Sequence, residues 1–240
     1  MKYRPDPDLD FLKDCTSEDL DILVRVLLHD KDGKPRSIVQ LPNHSLYKQF
    51  APQHASYWEV IAGEIQRYGS NPLAALARAG RGKHYIKILD NVCSRFSVRY
   101  LTDAAVEIIE RELCMTLFTR ALQHVPTKEL QTVCLAFRIT PATLTPYGIT
   151  LSVLETMRLN DQATCLLHMI IAHGAAMHAS NVSYAPLAPE HAVDALALFE
   201  KPLEAELSPV CSLSMTGAAH WIIVPTILQL AYIRAAKNAD

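Results

Sequence analysis

The chain has 240 residues, of which 50% are hydrophobic and 20% charged, with a net charge of −2 and a pI near 6.5. This apolar content excludes a disordered chain, and the near-neutral balance excludes a global attraction to nucleic acid. The charge is unevenly spread: residues 1–120 carry 17 Lys/Arg and 16 Asp/Glu, whereas residues 121–240 carry 6 and 9. Only eight glycines are present, and apolar positions recur at helical rather than alternating spacing, so the expectation is an all-α bundle of about eight to ten helices. Two lobes are expected, a charged one over 1–138 and a charge-poor one over 139–240.

In chain order, residues 1–10 lack an apolar signal core, which makes the cytoplasm the default expectation, with peripheral contact to the inner membrane as an extension. Thr16, followed three residues later by Asp19, predicts a capping box ahead of Leu20, Leu23, Val24, Leu27 and Leu28. His29–Gly33 reads as a polar loop. A short helix is expected over 43–50 and a longer one over 56–68, with Trp58, Ile61, Ala62, Ile65 and Tyr68 on one face and Gly69 at its C-terminal cap. Ser70-Asn71-Pro72 opens a short helix that Gly80-Arg81-Gly82 ends. Residues 83–96 carry an apolar side of Tyr85, Ile86, Leu89, Val92, Cys93 and Phe96. Thr102 or Asp103 is the expected cap of a helix reaching Gln123, with Val106, Ile109, Leu113, Leu117 and Phe118 as its stripe. Pro126 opens another helix to Phe137, and the Pro/Thr-rich stretch 140–148 marks the lobe boundary. Helices are then expected over 149–159, 161–179, 190–200 and 216–236, the last carrying Pro225 as a kink.

Two stretches, 162–189 and 207–233, contain no Asp, Glu, Lys or Arg. Histidines and prolines interrupt both, so buried core helices are the first expectation. Membrane contact is the alternative, through Trp221, Ile222, Ile223, Ile227, Leu228 and Tyr232.

Several segments resemble the bacterial YaaW-like family. They are Asp8-Leu9-Asp10-Phe11-Leu12, Cys15–Leu20, Leu28–Lys34, Trp58–Gln66 with Tyr68-Gly69, Gly82-Lys83-His84-Tyr85 with Ile88–Cys93, and Pro225–Arg234. Residues 82–93 and the following helix also resemble a ubiquinol–cytochrome c chaperone-like domain. The YaaW-like resemblance implies a fold and no reaction, and the chaperone-like one implies protein binding.

No residue pattern selects a chemistry. The chain has no GxSxG, HExxH or CxxC, so its six cysteines are expected reduced and structural. His168, His173 and His178 are spaced by five, which turns successive rings about 140° apart on a helix and prevents one metal from collecting them. Glu107, Glu110 and Glu112 around Arg111 read as a solvated face with a Glu107–Arg111 pair. Gly80–Lys83 departs from a phosphate-binding loop twice. The most informative local feature is a basic run, Arg78, Arg81, Lys83, Lys87, Arg95 and Arg99, opposed only by Asp90, while residues 1–32 hold nine acids and five bases. The two patches can pair within the fold, meet an acidic protein partner, or meet nucleic acid or anionic lipid. Together these features predict a non-catalytic protein-binding role, chaperone-like or toxin-neutralising, with no cofactor and no metal. A membrane-acting role is the alternative, and an unrecognised enzyme the remotest.

Overall fold

The computed structural model describes residues 3–69, 82–212 and 220–239. Among these residues ten α-helices and no strand occur. The helices are α1 (Ser17–Leu28), α2 (Ser45–Phe50), α3 (Trp58–Tyr68), α4 (Tyr85–Arg95), α5 (Val106–Leu122), α6 (Leu130–Phe137), α7 (Pro146–Leu159), α8 (Asp161–Ser180), α9 (Glu190–Ser212) and α10 (His220–Ala239).

The capping chemistry of α1 is as expected. Thr16 accepts from the Asp19 N–H at 3.1 Å, and the Asp19 carboxylate accepts from the Thr16 N–H at 2.7 Å. The loop after it turns on Gly33, at φ +73°, and on Asp30, whose carboxylate accepts the N–H groups of Asp32 and Lys34 at 2.9 Å.

Helix α8 is the hub. Helices α10, α9, α5, α7 and α1 all pack on it, and one hydrophobic cluster draws on residues from Leu9 to Ile233. The charge-poor stretches become α8 and α10, packed face to face. Ala172, Ala175 and Ala176 on α8 are fully buried, and such small side chains let neighbouring backbones approach closely. Gly174 serves a different face of α8, because a Cβ there would run into Leu203 of α9.

Several element ends differ from expectation. Helix α7 starts at Pro146, inside the stretch expected as a break, because Thr145 caps it by accepting the Gly148 N–H. Helix α9 continues to Ser212 through Pro202 and Pro209. Each proline removes one helical N–H, but Leu203 and Leu207 remain fully buried, and that packing holds the helix together. Helix α5 begins at Val106 after Ala105, with no side-chain cap from Thr102 or Asp103. Gly69 ends α3 with a right-handed φ of −69°. It is required there because a Cβ would meet Ile88. The expected helix over 72–80 lies outside the described residues.

Candidate functional site

The basic segment is positioned by a buried acid far from it in sequence. Helix α4 receives no side-chain cap from His84, the residue before it. Instead the carboxylate of Asp6, 1% exposed, accepts the Tyr85 N–H at 2.7 Å, with His84 Nδ1 at 3.5 Å and Gln66 Nε2 donating at 3.2 Å. A carboxylate against the first turn also complements the helix dipole. Gly82 lets the chain pass α3 closely, since a Cβ would strike the backbone and side chain of Gln66. Apolar Tyr85, Ile88, Leu89, Val92 and Cys93 then turn inward, leaving Lys87, Asn91, Ser94 and Arg95 on the outer face.

Lys87, Arg95 and Arg99 are exposed, and none makes an ion pair among the described residues. The acid on this helix, Asp90, accepts the Tyr100 hydroxyl at 2.5 Å. Lys83 is half-buried, with its N–H bonded to the Gln66 carbonyl at 3.3 Å. Arg78 and Arg81 lie outside the described residues. Among the described residues, Asp6 meets residues 84 and 85 of this segment, while Lys87, Arg95 and Arg99 form no ion pair.

Beneath α4 lies a polar network that sequence spacing misassigned. Glu110, expected on a solvated face, is 1% exposed. Its carboxylate accepts from the Tyr85 hydroxyl at 2.6 Å and from Arg234 Nε at 3.0 Å. Arg234 also donates to the Asp8 carbonyl at 2.6 Å, lies 3.6 Å from Glu107, and stacks on Phe11 at 4.1 Å. Glu107 therefore faces Arg234 and not Arg111, whose ion pair is with Glu112 at 3.7 Å. Burial pushes the Glu110 carboxyl up to about 7, against the opposing pull of Arg234 and Tyr85. The segments around Asp8, Tyr85 and Arg234, separate in sequence, meet at this one carboxylate.

The residues considered for membrane contact are mostly interior. Ile222, Ile223, Ile227 and Leu228 are at most 1% exposed, while Trp221 and Tyr232 are half-buried. The reason is polar. Gln229 donates to the Ala172 carbonyl on α8 at 2.8 Å and accepts from the Tyr184 hydroxyl, which fixes α10 against protein. Thr226 is satisfied within α10, donating to the Ile222 carbonyl at 2.8 Å. Trp221 lies over the buried guanidinium of Arg36 at 4.7 Å. Arg36 in turn donates to the Ala179 carbonyl at 2.7 Å and the Val26 carbonyl at 3.3 Å, joining the ends of α8 and α1. No helix among the described residues is long and apolar enough to cross a membrane.

The three histidines diverge. His168 Nδ1 bonds the Thr164 carbonyl at 2.7 Å, His173 Nε2 meets Glu200 at 3.1 Å, and His178 lies 4.0 Å from Glu204. Burial lowers the His168 pKa to about 4. No group of three potential metal ligands occurs among the described residues. The cysteines are free, five of them buried and Cys165 half-buried. Glu110 and His168 border one cavity of about 170 Å³, below the roughly 300–1,000 Å³ of ordinary small-molecule sites.

The structure thus defines an all-α protein whose N-terminal segment, α4, α5 and α10 are joined through buried charge, with a basic face outside. The comparisons agree with the family resemblance. Residues 3–37 match a family model described as a domain of unknown function, DUF3944. A UPF0174 protein of Helicobacter pylori strain J99 is 36% identical over 134 residues, covering 56% of this chain and 53% of the relative. The UPF0174 protein YaaW of Escherichia coli K12 is 35% identical over 116 residues, covering 47% and 48%. The chain is thus similar to UPF0174 proteins, and it spans about half the length of the curated relatives it matches. No solved structure matches.

Proposed function

We propose that this is a non-catalytic protein-binding accessory protein that receives an acidic partner on the outer face of α4. The observation that carries this reading is the placement of Lys87, Arg95 and Arg99: exposed, close in sequence, and without an ion pair among the described residues. Cations so placed raise the on-rate and the specificity of an acidic partner more than they stabilise the fold. The rigid support under α4, from Asp6 at its N-terminus and Glu110 beneath Tyr85, keeps those charges in register. The likeness of residues 82–93 to a chaperone-like domain points the same way, toward a chaperone-like or toxin-neutralising service.

Affinity capture with the full chain in native lysate tests the proposal. A stoichiometric partner should co-purify with the wild type and be lost from the triple variant Lys87→Glu, Arg95→Glu, Arg99→Glu, and its binding should weaken as salt rises. A partner bound equally by the triple variant overturns the role of α4. Absence of any stoichiometric partner, with flotation on anionic vesicles instead, replaces the proposal by peripheral membrane binding.

A further inference from the structure

A second opening lies between the ends of α6, α7, α8 and α10 and the start of α9, and shares no residue with α4 or with the Glu110 network. Its volume is about 520 Å³, within the range of sites that enclose small organic molecules. The lining is mixed: Phe137, Leu166, Met169 and Ala236 make its apolar part, and Thr156, Asn160, Gln162, His191 and Tyr232 add polar atoms. The lining includes no Asp or Glu among the described residues, and its one permanent charge is Arg138.

Arg138 is unusual in its backbone as well as its charge. It closes α6 in the left-handed region, at φ 53° and ψ 43°, where glycine or asparagine is the relaxed choice. Its side chain is exposed and makes no ion pair among the described residues. The start of α8 also lines the cavity, through Asn160, Gln162 and Ala163, and its first turn is already served: the Asn160 side chain accepts the Gln162 N–H at 2.8 Å and Asp161 supplies a negative charge there. Arg138 is thus the cation of this site.

We infer that this cavity binds a small amphiphile with a single carboxylate and an apolar chain, of the free fatty acid class. The carboxylate sits at Arg138, and the chain lies over Phe137, Leu166 and Met169. One cation and no acid beside an apolar stretch select this chemistry: an acid without an apolar body leaves Phe137, Leu166 and Met169 uncovered, and an apolar chain without an acid leaves Arg138 unpaired. The left-handed arginine is then a local cost retained for binding.

Isothermal titration of the full chain with dodecanoate, dodecanol and dodecyltrimethylammonium provides the test. Dodecanoate should bind saturably at one site below its micelle concentration, at least about tenfold more tightly than dodecanol, with the cation weakest. Arg138→Gly should lower dodecanoate affinity about tenfold or more while leaving the melting temperature unchanged or higher, because glycine relaxes the left-handed position. Leu159→Ser, outside the cavity, should bind as the wild type does. Equal affinity for dodecanol and dodecanoate, an unaffected Arg138→Gly variant, loss of binding in Leu159→Ser, or no saturable binding at all would each overturn the assignment.

Discussion

Helices α4 and α10 start from opposite compositions and are built into the same network. Helix α4 lies in the charged half of the chain and shows a clean division, apolar residues inward and Lys87 and Arg95 outward. Helix α10 is almost wholly apolar and nearly without an outer face, with 13 of its 20 residues buried. Yet each sends one polar side chain, Tyr85 or Arg234, to the same buried carboxylate of Glu110. The lesson is about what secures a helix. Apolar area holds both, but the polar contacts decide which face goes where, because a buried hydrogen-bonding group tolerates only a few positions. An apolar helix carrying Thr226, Gln229 and Arg234, all buried and all partnered, is built for a protein interior.

That comparison breaks most sharply at Arg234. Arg234→Ala leaves Glu110 buried without its cation and should destabilise the protein by about 3–5 kcal/mol in urea unfolding, as removal of one partner from a buried pair does. A loss under about 1 kcal/mol would show that apolar packing alone seats α10. Substituting both Glu110 and Arg234 by apolar residues of similar volume should recover most of the loss.

Titration against pH separates the two kinds of buried group. The folded pKa of Glu110, about 7, lies above the ordinary carboxylate value of 4.5, so the folded state holds a proton that the unfolded state has released. Its contribution is therefore fully favourable below about 4.5 and declines as pH rises toward 7. His168 acts oppositely: its folded value of about 4 lies below the ordinary 6.5, so its contribution is full above 6.5 and declines as pH falls toward 4. The two slopes offset each other between about 4.5 and 6.5. Glu110→Gln should remove one of them and leave stability rising with pH across that window. A profile unchanged by Glu110→Gln would mean that Arg234 keeps this carboxylate ionised throughout.

Gly82→Ala probes the entry to α4. The added Cβ meets Gln66 backbone, which has no free rotation to yield, so a loss of about 1–3 kcal/mol is expected. The smallest effect belongs to the outer face. Lys87→Glu should change stability by no more than about 0.5 kcal/mol, while removing partner capture along with Arg95 and Arg99. A large stability change at Lys87 would mean that the basic face serves the fold and not a partner.

Much of the architecture was legible from residues alone. The Thr16–Asp19 capping box and the stripe from Val106 to Phe118 follow local rules, and the structure obeys them. The inward face of α4 was legible for the same reason, and with it the outward basic residues. Glu110 was not legible. Glutamate beside arginine at helical spacing reads as a surface pair, and nothing within a few residues indicates that Arg234, 124 residues away, would claim it. Asp6 was hidden likewise, as a cap separated from its helix by 79 residues. Helix α9 was read short because Pro202 and Pro209 are local stop signals, overridden by the burial of Leu203 and Leu207. The cavity at Arg138 had one trace in the sequence, a position after α6 where glycine would be expected, but its walls come from five separate helices.

The sequence by itself determined an all-helical chain, the faces of its amphipathic helices, and the location of its exposed positive charge. These depend on interactions within a few residues, whose geometry the helix repeat dictates. Only the tertiary structure decided that the charge-poor helices pack against each other, that Glu110 and Arg234 pair in the interior, and that Arg138 stands at the mouth of a cavity. Those outcomes rest on contacts between distant segments, where desolvation leaves a buried charge or amide few partners to choose from, and no local periodicity records which partner it finds.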